Sequence, residues 1–175
     1  MSTAEYIFDA GPLITVCRFS VRSRLVIDHL LAHCQIVVPQ AVQQEVIVVG
    51  ERYADAQEAK RHIAAGAIRV ALPIPAPASL EKALRLYELG DGECQSILLA
   101  YQMGACLVID DYLGYLVSDR LGIQKRFLLD LLVRLTEEAG LDQSLACKIA
   151  DAVRPRYTRA MIEHTLLMLG EEDAK

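Results

Sequence analysis

Tryptophan is absent from this chain, and its other aromatic residues supply only 6% of the composition. The core must therefore be aliphatic, and a hydrophobic content of 53% over 175 residues is enough for one compact domain. No apolar run approaches the roughly 18 uninterrupted residues that cross a bilayer. The N-terminus lacks the basic-then-apolar profile of a secretory signal, so a cytoplasmic location is expected. A basic excess is lacking too: the formal net charge is −5, which argues against an overall field that draws in nucleic acid. Any phosphate-binding face must then be local. The clusters Arg18, Arg22, Arg24 and Arg120, Lys125, Arg126 are the candidates for such a basic margin, against the ordinary alternative of solvated faces.

Cysteine pairing is also missing. The five cysteines (Cys17, Cys34, Cys94, Cys106, Cys147) are widely spaced, with no pair two residues apart, which suggests neither a zinc ribbon nor a disulfide framework. They read as reduced core residues. His29 and His33 would share one face of a helix, as zinc ligands often do, but no Cys or carboxylate is placed to complete that site.

What is present is an alternation of short apolar runs and helical periodicities. Tyr6 to Phe8 reads as a strand ending at Asp9, followed by a turn with Pro12 suited to a first helical position. Ile27, Leu30, Leu31 and Cys34 recur at helical spacing, and Ile36 to Val38 forms a second strand stopped by Pro39. A helix is expected from about Gln40, continuing through Glu51 to Ala65, with Gly66 as its C-cap and a third strand over Ala67 to Leu72. Pro73 to Pro77 reads as a surface connection, Ser79 as the cap of a helix ending near Gly90, and Asp91 as the cap of the next, which runs to Gly104. Ala105 to Ile109 is a continuous apolar strand ending in Asp110 and Asp111, and a further helix reaches Gly122. Such alternation implies a mostly parallel sheet covered by helices on both faces. Leucine stripes after residue 126 predict helices over 127–170, so the chain divides into an α/β domain (1–126) and a helical extension packed on it (127–175).

The acids stand out by position. Asp9 and the pair Asp110 and Asp111 end apolar strands, where open parallel sheets place their ligand crevices, although a turn or cap role explains any one of them. Glu45 falls on an α-helical wheel among Ala41, Val42, Val48 and Val49, so a carboxylate is expected in the middle of an apolar arc. Burying it unpaired costs several kcal/mol, which calls for a cation, a metal or a salt bridge. Glu93 leads the apolar stripe of Ile97, Ala100 and Gly104, with Gln95 and Gln102 opposite; its ordinary alternative is a first-turn acid favoured by the helix dipole. An oxygen-only acidic set suits Mg²⁺ or Mn²⁺, and such a site hydrolyses phosphodiesters.

Ile7 to Ile14 (IFDAGPLI), Val38 to Val46 (VPQAVQQEV), Leu89 to Ala100 (LGDGECQSILLA) and Leu107 to Asp111 (LVIDD) together resemble, in order, the blocks of PIN domains, and most of all the uncharacterised PIN proteins related to VapC-like toxins. The resemblance implies a three-layer α/β fold. It also implies that Asp9, Glu45, Glu93 and Asp111 are catalytic, metal-binding acids, with Asp110 a substitute or helper in the metal site. Activity is then expected to be cleavage of RNA by a Mg²⁺- or Mn²⁺-dependent ribonuclease, with Arg18, Arg22, Arg24, Lys125 and Arg126 as candidate RNA contacts. Many relatives are toxins neutralised by a small antitoxin protein, and many form homodimers; both become expectations here. The chain departs from the pattern at Gly11, where many relatives carry a hydroxyl, and at Tyr115, where an arginine is common. Two other readings compete: a non-catalytic PIN scaffold that binds RNA or protein, and a haloacid-dehalogenase-like phosphatase. The second is weakened by Gly11, which stands where that chemistry needs another acid.

Overall fold

The computed structural model describes residues 4–72 and 75–170. Its centre is a five-stranded, wholly parallel sheet in the order β5-β4-β1-β6-β7, formed by β1 (Glu5–Phe8), β4 (Gln35–Pro39), β5 (Ile68–Ala71), β6 (Cys106–Val108) and β7 (Lys125–Arg126). Parallel neighbours need crossovers, and helices supply them. Successive side chains of a strand point to opposite faces. Phe8, Ile36, Val38 and Val108 enter one core, with α1 (Ala10–Arg18), α2 (Val26–Leu30), α8 (Leu128–Glu138), α9 (Gln143–Ala152) and α10 (Arg159–Met168). Ile7, Val37, Leu107 and Ile109 enter the other, beneath α5 (Ala78–Arg85), α6 (Asp91–Met103) and α7 (Tyr112–Arg120). The expected layering is present. The sheet reverses its direction of growth between β1 and β6, so the two strands that end in Asp9 and Asp110 lie side by side at the crevice-forming point of an open α/β sheet.

Several local expectations change. The helix expected from Gln40 to Ala65 is not continuous. It comprises α3 (Gln40–Gln43), a π-helical segment over Gln44–Val49, a turn at residues 50–53 and α4 (Ala54–Ala64). Gly50 is required at that break, because a Cβ there would lie 2.3 Å from the Val46 carbonyl oxygen. The π segment also invalidates the α-helical wheel used for Glu45, since its i→i+5 pattern advances less than about 100° per residue. Glu45 is exposed rather than buried, and Val48 is 69% exposed. The side chain of Val49 lies outside the described part, as do Pro73 and Ile74 of the expected proline-rich connection.

Pro77 rather than Ser79 precedes α5, and Gly90 rather than Asp91 caps α6. Two features carry no readable periodicity in the sequence: a small hairpin of β2 (Ser20–Val21) and β3 (Arg24–Leu25), and the two-residue edge strand β7. His29 and His33 do not form a pair. Nε2 of His29 bonds the Val21 carbonyl at 3.0 Å and Nδ1 of His33 bonds that of Ala139 at 2.9 Å, so each ring joins one element to another. None of the five cysteines is joined to another in a disulfide. Among the described residues no helix is long and apolar enough to cross a membrane.

Candidate active site

Four separated stretches of chain deliver acids to one cavity of about 440 Å³ at the C-terminal edge of the sheet. Asp9 follows β1, Glu45 lies in the π-helical segment, Glu93 is in the first turn of α6, and Asp110 and Asp111 follow β6. The wall includes the backbone at Gly11, Gly90 and Gly92, and one basic side chain, Arg156.

Asp9 is the buried member, 5% exposed. It stands at the N-cap position of α1 without capping it; instead its Oδ1 accepts a hydrogen bond from Ser96 Oγ at 3.1 Å. Burial pushes its carboxyl pKa up to about 6, and the nearby charges of Glu93 and Glu45 push the same way, against the Ala10 amide and the Ser96 hydroxyl. Ser96 lies three residues after Glu93, hence on the same side of α6. It supplies a hydroxyl beside Asp9 that Gly11 cannot. The only hint of it in the sequence is that spacing from Glu93.

Glu93 accepts a hydrogen bond from the Gly90 amide through Oε2 at 3.0 Å, so the first-turn role is real. It faces the cavity as well. Burial raises its pKa, and the neighbouring Asp111 and Glu45 carboxylates add to the rise. Glu45 reaches the first turn of α6 because residue 92 is glycine: a Cβ there would come within 2.7 Å of Glu45 Oε2. The same seam is tied by Gln95, expected to face away, whose Oε1 accepts from the Ala41 amide at 3.1 Å.

The two neighbouring aspartates differ. Asp111 caps α7, with Oδ1 accepting from the Gly114 amide at 2.8 Å, while Oδ2 has no hydrogen-bond partner among the described residues. Asp110 is committed at both oxygens. Oδ1 accepts from the Leu128 amide at 3.1 Å and Oδ2 from the Tyr157 hydroxyl at 2.5 Å, so this carboxylate ties the sheet edge to α8 and to the chain between α9 and α10. Burial raises its pKa, partly countered by Tyr157, Leu128 and Arg156.

None of the five basic residues expected to contact RNA lines this cavity. Arg18, Arg22 and Arg24 are exposed at the far end of α1 and in the β2–β3 hairpin. Lys125 forms an ion pair with Asp119 and lies 5.1 Å above the ring of Tyr115, which is itself stacked on Phe127 at 4.4 Å. Arg126 lines a separate crevice with Asp130 and Arg134. Arg156, which the cavity does contain, carries no sequence signal linking it to acids so distant in the chain.

The donor chemistry suits a hard cation: carboxylate oxygens, a hydroxyl, and two carboxyl groups whose pKa values are raised first by burial and further by the neighbouring acids. Among the described residues, however, no group of three or more His, Cys, Asp or Glu is placed to hold an ion as it stands. The carboxylates share a cavity without being drawn onto a common point.

A family model described as DUF3368, a PIN domain, matches residues 5–155. No curated protein matches the chain. Among solved structures, a domain of a functionally unknown protein from Methanocaldococcus jannaschii DSM 2661 is similar at 19% identity, covering 71% of this chain and 90% of that one, with a TM-score of 0.46.

Proposed function

Because the chain belongs to the PIN-domain family, we propose that it is a divalent-metal-dependent ribonuclease that hydrolyses phosphodiester bonds of RNA. PIN domains are generally nucleases. The observation that carries the proposal is the meeting of Asp9, Glu45, Glu93 and Asp111, from four separate stretches of chain, in one cavity. Packing carboxylates together beside a buried one is unfavourable unless a cation offsets their charge.

Mg²⁺ or Mn²⁺ fits these donors and would be held by Asp9, Glu45, Glu93 and Asp111. When bound, such an ion supplies Lewis acidity toward water and phosphate. The chain's own groups do the remaining work. Ser96 fixes the rotamer of Asp9 and favours its ionised form. The Gly90 amide orients Glu93, and the Gly114 amide leaves one oxygen of Asp111 turned to the cavity. Asp110 has no oxygen without a partner, so it acts on the site by holding the structure around it.

The experiment is incubation of single-stranded RNA with the protein in Mn²⁺, Mg²⁺ or EDTA. Products are expected with either metal and none with EDTA; equal cleavage in EDTA, or none in any condition, overturns the reading. The spacing of the carboxylates favours a second reading, a scaffold that binds without cutting. Such a scaffold gains no thermal stability from Mn²⁺, whereas a metal site must by mass action.

A further inference from the structure

Among the described residues, the cavity of five acids holds one cation, Arg156, on a turn that is held in place from both sides. Arg156 ends the short 3₁₀ turn Arg154–Arg156 between α9 and α10, and its amide donates to the Val153 carbonyl at 2.9 Å. Pro155 restricts the backbone of that turn. The turn is pinned on both sides. Arg154 is engaged with Asp151 through Nε and Nη2, at 2.8 and 2.6 Å, and the Tyr157 hydroxyl is anchored on Asp110. Arg154 and Arg159 on either side are both consumed in ion pairs. The guanidinium of Arg156 forms none among the described residues, and the residue is exposed at the cavity wall.

An RNA phosphate entering a cavity of carboxylates meets repulsion, and a metal ion among the acids offsets it from one side only. A planar guanidinium can take two phosphate oxygens at once, in a geometry an ammonium lacks. Resting on the ribonuclease reading, we propose that Arg156 binds a backbone phosphate of the RNA in the cavity that it lines together with the acids. Asp110 and Tyr157 are the positioning pair that aims it. This assigns different work to the two adjacent aspartates: Asp111 faces the metal and Asp110 holds the phosphate-binding arginine through Tyr157. It also supplies the cation that Arg18, Arg22, Arg24, Lys125 and Arg126 do not bring to the cavity.

The test is binding rather than turnover. A short fluorescein-labelled single-stranded RNA is titrated by anisotropy in Ca²⁺ at several salt concentrations, with gels confirming that it stays intact. Arg156→Ala is expected to bind about tenfold more weakly, with a log Kd against log salt dependence shallower by about 0.7, the value of one single-strand phosphate contact. Arg156→Lys should keep the salt dependence and recover part of the affinity; Arg18→Ala should match wild type. If wild type binds RNA and Arg156→Ala equals it in affinity and salt dependence, the assignment of Arg156 is overturned and the ribonuclease reading stands. If wild type binds no RNA, both fall. If Arg156→Ala only enlarges the Mn²⁺-induced rise in melting temperature, with RNA binding unchanged, Arg156 is a counter-ion of the acids and the proposal is overturned.

Discussion

Asp9 shows how one carboxyl group can be costly to the fold and useful to a site. Its pKa is raised from 3.8 to about 6, chiefly by burial. Between those pH values the folded chain keeps a proton that the unfolded chain has released. The contribution of Asp9 to stability without metal is therefore fully present below about pH 4 and is lost as the pH rises through 6. At roughly 1.4 kcal/mol per pH unit, the loss at neutral pH is on the order of 3 kcal/mol. Asparagine can still accept the Ser96 hydrogen bond and carries no charge. Urea unfolding of metal-free protein should give Asp9→Asn and wild type similar stability at pH 4, and a more stable variant at pH 7.5. A less stable variant at pH 7.5 would make Asp9 a structural anion. At this scale the strand-end aspartates were legible because a short apolar run closing on an acid is a local pattern. The use made of Asp110 was not, since Tyr157 lies 47 residues along the chain and nothing local marks it.

Two glycines separate what the elements need for folding from what they need for the site. At Gly50 an added Cβ meets the backbone oxygen of Val46 at 2.3 Å, and backbone cannot yield cheaply. At Gly92 it meets the tip of Glu45 at 2.7 Å, which can swing away, and Val42 Cγ2 at an ordinary 3.5 Å. Gly50→Ala should cost about 1–3 kcal/mol in urea unfolding. Gly92→Ala should leave metal-free stability within about 0.5 kcal/mol of wild type or raise it, yet shrink the rise in melting temperature produced by Mn²⁺. Equal losses from both substitutions would contradict this division. The elements were legible where periodicity was long: α6, α8, α9 and α10 stand where the leucine and apolar stripes placed them. The break between α3 and α4 was not, because wheel reasoning assumes one helical pitch and the π segment has another. Glu45 lies in that segment and lines the cavity while exposed, so the expectation of its burial is corrected by the structure.

Across the whole molecule, alternating strands and helices sufficed to read a parallel sheet with two covered faces, while β7 and the β2–β3 hairpin were too short to leave a pattern. On resemblance to PIN proteins, and on the exposure of Tyr112, Leu113 and Leu116 along α7 at 68%, 44% and 39%, we propose that the chain is a homodimer. Light scattering at micromolar concentration should return twice the chain mass, and a monomer mass contradicts the proposal. On the proposed ribonuclease reading, a net charge of −5 leaves RNA binding to the cavity itself, where cations offset the acids. Cleavage of single-stranded RNA in Mn²⁺ by wild type and Asp9→Asn side by side is the most direct test of that account. Cleavage by wild type, abolished in EDTA and lowered by orders of magnitude in a folded Asp9→Asn variant, is the predicted result. An Asp9→Asn protein that cuts as fast as wild type would contradict the assignment of this cavity as the active site.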